Sequence, residues 1–259
     1  MSAFDLSAHF GPGLLAFAFA AMFAAGFAKG VVGFALPLIA LSALGSVLPP
    51  ATAVAALIAP TFVSNIWQTF RQGLGAAWGS FRRFWLLNLA LFIMIGVSAP
   101  LVVRLPDSVL FLILGSFVSI MGGLMLIGWH PPKPSRRFEK WVEGAVGLVG
   151  GFFGGLGGIW GPPLVLYLTV LNLPRIEIIR AQGVSFLIGS VILVAAHLNS
   201  GLLLGPEGAL SLAMIVPAMA GMALGLSVGD RLAPALFRKV TLAVLVIAGL
   251  NLLRRGVFG

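Results

Sequence analysis

The chain contains no cysteine among its 259 residues, a single tyrosine, and only 9% charged residues. Without cysteine it has no disulfide framework, no thiolate metal site and no cysteine nucleophile. Acidic residues are almost as scarce. The seven are Asp5, Asp107, Glu139, Glu143, Glu177, Glu207 and Asp230, all in loops or at the ends of apolar segments. No carboxylate is thus expected inside an apolar segment to bind a cation or relay protons, which disfavours cation transport. The three histidines, His9, His130 and His197, lack metal-ligand spacing, so a metalloenzyme is unsupported. No nucleophile stands with a base in a pattern that a membrane hydrolase would need. No cofactor is implied.

What the chain has is apolar length. It is 59% hydrophobic with a mean hydropathy of +1.09, against roughly 45–50% apolar in soluble domains. This is the composition of an all-α integral membrane protein. Stretches of about 20 apolar residues are needed to span a bilayer, and they occur at Ala51–Phe70, Phe84–Val103, Ser108–Trp129, Ile178–Leu198, Ala209–Val228 and Ala235–Leu253. Two longer ones run Leu14–Leu48 and Val142–Leu171. Met1 to Gly13 carries no Lys or Arg ahead of the first apolar run, so it does not read as a cleaved signal peptide. The formal charge of +9 does not indicate a nucleic-acid partner, because most Lys and Arg sit in short loops, where they set topology.

The two longest apolar segments are interrupted by the same motif. Gly26-Phe-Ala-Lys-Gly-Val-Val-Gly-Phe-Ala-Leu-Pro37 returns as Gly151-Phe-Phe-Gly-Gly-Leu-Gly-Gly-Ile-Trp-Gly-Pro162, with Gly26/Gly151, Phe27/Phe152, Gly30/Gly155, Gly33/Gly158 and Pro37/Pro162 in register. Dense glycine followed by proline does not continue a regular helix, since glycine costs backbone entropy and proline removes a donor. Elsewhere a shift of 127 or 128 residues superposes Ala53 on Ala181, Gly73 on Gly201, Arg104-Leu105 on Arg231-Leu232 and Gly122 on Gly249. The expected organisation is two homologous halves, 1–129 and 142–259, joined by a basic cytoplasmic linker, 130–141. Paired breaks in corresponding positions of two halves point to a transporter binding site near the bilayer midplane.

Loop charge favours inverted halves. If each broken segment crosses once, nine Lys and Arg (Arg71, Arg82, Arg83, Lys133, Arg136, Arg137, Lys140, Arg254, Arg255) face six (Arg104, Arg175, Arg180, Arg231, Arg238, Lys239). If each enters and leaves by one face, twelve of these gather on one side, leaving only Arg104, Arg254 and Arg255 opposite. Twelve to three is the bias that the positive-inside rule expects. The expectation is therefore inverted repeats with broken or re-entrant helices meeting at the midplane and both termini outside. The pieces flanking the second break, about Val142–Phe153 and Pro162–Leu171, are then half-bilayer helices of roughly 15–18 Å each.

A half-helix that starts after a break offers unpaired N–H groups and a partial positive charge, which suit an anion. Gly30, Gly33, Gly157 and Gly158 would let backbone approach such a ligand, and Trp160 stands beside them. The same glycines form GxxxG pairs that serve helix packing. No GK[ST] follows them, and Trp160 breaks the dinucleotide spacing, so no nucleotide site is expected. Lys29 is the one Lys or Arg deep within an apolar segment, a functional candidate by default, unless it snorkels to an interface. Thr61, Ser64, Asn65 and Gln68 share one helix face, as do Gln182, Ser185 and Gly189. Lys29, Asn65, Gln68, Gln182 and Ser185 are thus the candidates to complete an anion site. For the polar residues of these stripes, interhelical hydrogen bonding is an equal alternative. His197 is either titratable within its span or interfacial.

The duplicated motif with its terminal proline, about eight apolar segments and the fused halves resemble the sulfite exporter TauE/SafE family, also called the 4-toluene sulfonate uptake permease group. The likeness covers essentially the whole chain. It implies a multi-pass secondary transporter of the bacterial inner membrane, carrying sulfite, sulfonates or similar small sulfur oxyanions by alternating access. Its partners are then that small anion and the lipid bilayer. The first motif copy departs from the glycine-richest form at Lys29, Val32, Phe34 and Ala35, which implies a first half-site tuned to a different ligand. The alternative is a non-transporting membrane subunit that assembles through its glycine faces.

Overall fold

The computed structural model describes residues 6–229 and 234–258, and the described residues are helical with no strand. A short α1 (Leu6–Phe10) leads into α2 (Pro12–Val32), α3 (Leu36–Leu44), α4 (Pro50–Phe70), α5 (Leu74–Arg83) and α6 (Trp85–Ser98). A 3-10 turn, Ala99–Val103, extends α6 before α7 (Asp107–Leu126). After the linker come α8 (Glu139–Gly157), α9 (Gly161–Val170), α10 (Arg175–Asn199), α11 (Pro206–Ala213), α12 (Ile215–Gly229) and α13 (Pro234–Phe258). Proline sits in the first turn of α2, α3, α4, α9 and α11, where its missing N–H costs nothing. Inside α4, Pro60 removes a helical donor, and the neighbouring Ala59 N–H donates to Ser211 Oγ on α11 at 3.0 Å.

Among the described residues six helices or helix pairs are long and apolar enough to cross a membrane: Pro12–Val32, Pro50–Phe70, Trp85–Val103, Asp107–Leu126, Ile176–Asn199 and Pro206–Val228. This is a multi-pass membrane protein. Its outer surface shows the solvent it was made for. Phe92, Ile93, Val216 and Ile247 are each more than half exposed, which is stable only against lipid. Trp78, Trp85, Trp129 and Trp141 are also exposed near helix ends, the placement of residues that sit at headgroup level.

Glycine makes the helix contacts close. A Cβ on Gly26 would run into the Ala218 carbonyl, and one on Gly221 or Gly225 into the carbonyls of Phe23 or Phe27, so α2 and α12 touch backbone to backbone. Gly147 and Gly151 bring α8 onto Leu87 and Leu91 of α6 in the same way, and Gly115 and Gly249 face each other between α7 and α13. Such approach supplies dispersion contacts where lipid offers no hydrophobic driving force between helices. The pairings also match one another. α2 lies on α12 as α8 lies on α6, α4 on α11 as α10 on α5, while α4 meets α10 and α7 meets α13.

The boundaries differ from expectation at the breaks. The pieces before them are α2, 21 residues, and α8, 19 residues, each about 30 Å long, rather than half-helices. Only the pieces after them, α3 and α9 with 9 and 10 residues, are short. Glu143, expected in a loop or at a segment end, is buried as the fifth residue of α8. Its carboxylate accepts from Lys140 Nζ at 2.7 Å and from the Leu87 N–H at 3.2 Å, compensating the start of α6 with negative charge. The Arg231-Leu232 copy of Arg104-Leu105, Asp230 and both chain ends fall outside the described residues, and Arg238 lies where side chains are not described.

Candidate functional site

Both motifs end a helix in one way. Gly33 closes α2 at φ 92° and its N–H donates to the Lys29 carbonyl at 2.7 Å. Gly158 closes α8 at φ 69° and its N–H donates to the Gly154 carbonyl at 2.7 Å. Left-handed backbone is what glycine alone adopts without penalty, so the duplicated glycine is required twice by the turn itself. α3 and α9 then fold back along α2 and α8.

The surroundings of the two turns are not alike. Lys29 is 2% exposed. Its Nζ donates to Ser64 Oγ at 2.8 Å and to Asn65 Oδ1 on α4. It does not snorkel. Among the described residues the ion pairs are Arg83–Glu177 and Lys140–Glu143, so no carboxylate meets Lys29. The amine has three donors and two acceptors. It lines a cavity of about 400 Å³ together with Gly30, Val31, Gly33, Gln68, Met222 and Leu226, opening past Trp67, Arg71, Gln72, Ile176 and Ile179. A Cβ on Gly33 would point at Gln182 Oε1, 3.3 Å away, with Gln68 Nε2 at 4.0 Å. The side-chain oxygens of Gln68 and Gln182 are buried without a hydrogen-bond partner.

The polar stripe on α4 holds this arrangement rigid. Asn65 Nδ2 donates to the Phe186 carbonyl at 2.9 Å, Gln68 Nε2 to the Ile179 carbonyl at 3.3 Å and Thr69 Oγ1 to the Gly183 carbonyl at 2.7 Å. All three acceptors are on α10, so α4 is fastened to it. At the cavity mouth Arg180 donates to Ser80 Oγ at 2.9 Å and to Gln72 Oε1 at 3.2 Å. Gly33 lies level with Gln68, two residues from the end of α4, and with Gln182, seven from the start of α10, while Phe34 and Pro37 after it pack on Gly161 and Gly158 of the second break.

The structure therefore brings together Lys29, Gly30, Gly33, Asn65, Gln68 and Gln182. It places the other candidates elsewhere. Gly157 packs on Leu114 and Leu41, and Gly158 on Leu57, Pro37 and Leu193. Trp160 is buried against Gly154, Gly189 and Phe186, and Ser185 donates to Asn88 Oδ1 at 2.6 Å. His197 is fully buried in the last turn of α10. Sequence reasoning counted Arg71 and Arg180 only as loop charge and passed over Gln72, Met222 and Leu226. Arg71 and Gln72 directly follow the α4 stripe, a signal that was available; Met222 and Leu226 lie 193 and 197 residues after Lys29 and had none.

A membrane protein with a buried amine and amides lining a cavity between helices has the form of a carrier of small polar solutes. The sulfite exporter TauE/SafE family profile matches residues 18–252. The chain belongs to that family of membrane transporters. Neither the curated proteins nor the solved structures include a match.

Proposed function

We propose that this chain is a secondary transporter that binds a small sulfur oxyanion, sulfite or an organosulfonate, at Lys29. One observation carries the reading: a lysine buried among helices, without a carboxylate, facing a cavity that water and solutes can enter. An uncompensated charge in such a place is costly, and a mobile anion is the partner that removes the cost. The amides of Gln68 and Gln182, whose oxygens have no partner, can turn their N–H groups to the anion and replace part of its hydration, and Arg71 at the mouth raises the local anion concentration. Neutral acceptors on Ser64 and Asn65 hold the amine while the cavity is empty. Such binding is firm enough to select and weak enough to release. The glycine-faced assembly subunit accounts for the packing but not for this cavity.

The same reading takes the halves, 1–129 and 142–259, as inverted repeats joined by the 130–141 linker in the cytoplasm. The matched helix pairings support it. So does Arg255, which donates to the carbonyls of Gly45 and Leu48, bringing the end of α13 level with the turn before α4. With α3 folded back on α2, that segment enters and leaves by one face. Each half then starts and ends on opposite terms, as alternating access in inverted repeats requires.

Flux of labelled sulfite, and of a short alkylsulfonate, into proteoliposomes tests the reading. Saturable uptake by the parent chain, lost in Lys29→Met, is expected. Uptake in Lys29→Met equal to the parent's removes Lys29 from the site, and uptake of neither anion by the parent overturns the function.

A further inference from the structure

The shift of 125 residues that relates Gly33 to Gly158 also relates what surrounds them. α4 and α10 begin after Pro49 and Pro174, so the facing parts of these helices are related by 125 residues rather than by the 128 that superposes Ala53 on Ala181 in sequence; α10 runs four residues longer, and 128 returns only at the turn glycines Gly73 and Gly201. Gly33 faces Gln68 and Gln182, and Gly158 faces Leu193 and Leu57, the residues at the corresponding positions. Lys29 corresponds to Gly154, and its acceptor Ser64 to Gly189. A Cβ on either glycine would meet the Trp160 indole, at 2.7 and 3.1 Å. In the second half, then, the space between these helices is filled by Trp160, which is 1% exposed.

Two further positions complete the correspondence. Ile179, on the cavity wall, maps to Val54, which is fully buried. Gln72, just past the end of α4 at the cavity mouth, maps by the same 125-residue shift to His197, in the last turn of the longer α10. Its ring lies beside the Gly155 backbone, yet neither nitrogen makes a hydrogen bond of ordinary geometry. A buried polar ring whose one polar neighbour is a backbone group outside ordinary hydrogen-bond geometry needs a reason, because its desolvation is poorly compensated.

We infer that this closed mirror image of the cavity is the route by which the anion reaches the opposite face, with Trp160 as its plug and His197 as the polar group at its mouth. The inference rests on the inverted-repeat transporter reading above. In such a pair the outlet is the symmetry mate of the inlet, because each half carries out in turn the change that the other has made. One side must be sealed while the other is open, and here the first half is open while leucines and an indole seal the second. Opening would let water reach His197 and satisfy its ring. The leucines at positions 57 and 193 also mean that the mirror space passes the anion without holding it, so each chain binds one.

The chain has no cysteine of its own, so single cysteines report access directly. Ile179→Cys and Val54→Cys, reconstituted in liposomes of one orientation, are exposed to a charged organomercurial, which does not cross membranes and binds thiol in preference to sulfite, with sulfite present on both sides. Ile179→Cys should react from the face carrying Arg71 and Val54→Cys from the opposite face. Combining Val54→Cys with Trp160→Ala should speed its labelling about tenfold, a shift of the closed–open equilibrium. Trp160→Phe is the substitute if the alanine variant does not fold, and it should give a smaller increase. Val54→Cys that stays unreactive from the opposite face while sulfite is being transported overturns the inference, as does a labelling rate indifferent to both Trp160 variants. Failure of the transporter reading shows separately, as absence of sulfite flux in the parent chain.

Discussion

Replacing Lys29 by methionine separates binding from folding. Methionine keeps the length of the side chain and removes the charge. On the stability side, the substitution leaves Asn65 Oδ1 without its donor, a penalty of about 1–3 kcal/mol for an unsatisfied buried group. Against that it removes an unpaired buried charge, whose effective cost is several kcal/mol. The fold should therefore hold or gain slightly. On the binding side, a hydrogen bond to a charged group contributes about 1.5–3 kcal/mol, so affinity for sulfite should fall roughly 10- to 150-fold. Thermal unfolding in detergent reads both effects. At a sulfite concentration of about 100 times its dissociation constant the parent gains about 2.7 kcal/mol, and a variant bound 100-fold more weakly gains only about 0.4 kcal/mol. For a chain of this size those gains correspond to Tm shifts of about 5–10 °C and about 1 °C. Equal sulfite-dependent shifts in the parent and Lys29→Met, with matched baseline Tm, would refute the assignment of the buried amine to anion binding.

Gly33→Leu should abolish the sulfite-dependent shift, since its side chain would enter the cavity at Gln182; Gly158→Leu should lower Tm and leave the shift, because apolar packing surrounds it. The reverse pattern would move the site to the second break. Gly225→Val should reduce expression and Tm by a destabilisation of about 3 kcal/mol or more, as backbone of α2 occupies the space its Cβ needs, and a Tm equal to the parent's would contradict the close packing. Arg255→Ala loses two carbonyl contacts and the Phe111 ring at 4.5 Å, so a loss of about 1.5–3 kcal/mol is expected in thermal unfolding. Reporter fusions should place the Arg82–Arg83 segment in the cytoplasm and Gly259 in the periplasm, and a cytoplasmic C-terminus would sink the inverted arrangement.

Composition and periodicity determined the class of this protein. Apolar runs of bilayer length force helices, because lipid leaves backbone no other partner, and the spans expected at Ala51–Phe70, Phe84–Val103 and Ile178–Leu198 agree with the helices within a few residues. The breaks were legible too, since a glycine followed four residues on by proline ends a helix whatever surrounds it. The α4 stripe of Thr61, Ser64, Asn65 and Gln68 was readable as a buried face, and all four are buried. The two motif copies were read as two unequal half-sites, the first tuned to a different ligand, but how a turn functions depends on what faces it, and that comes from α4 and α10. Gln68 and Gln182 beside Gly33, against Leu193 and Leu57 beside Gly158, make one turn the wall of a cavity and the other the centre of a packed core. The depth of the breaks also waited on tertiary structure, because α2 and α8 continue as helices through their glycines by packing on α12 and α6. Local propensity would have ended those helices earlier, and close backbone contact across the helix pairs is the force that overrides it.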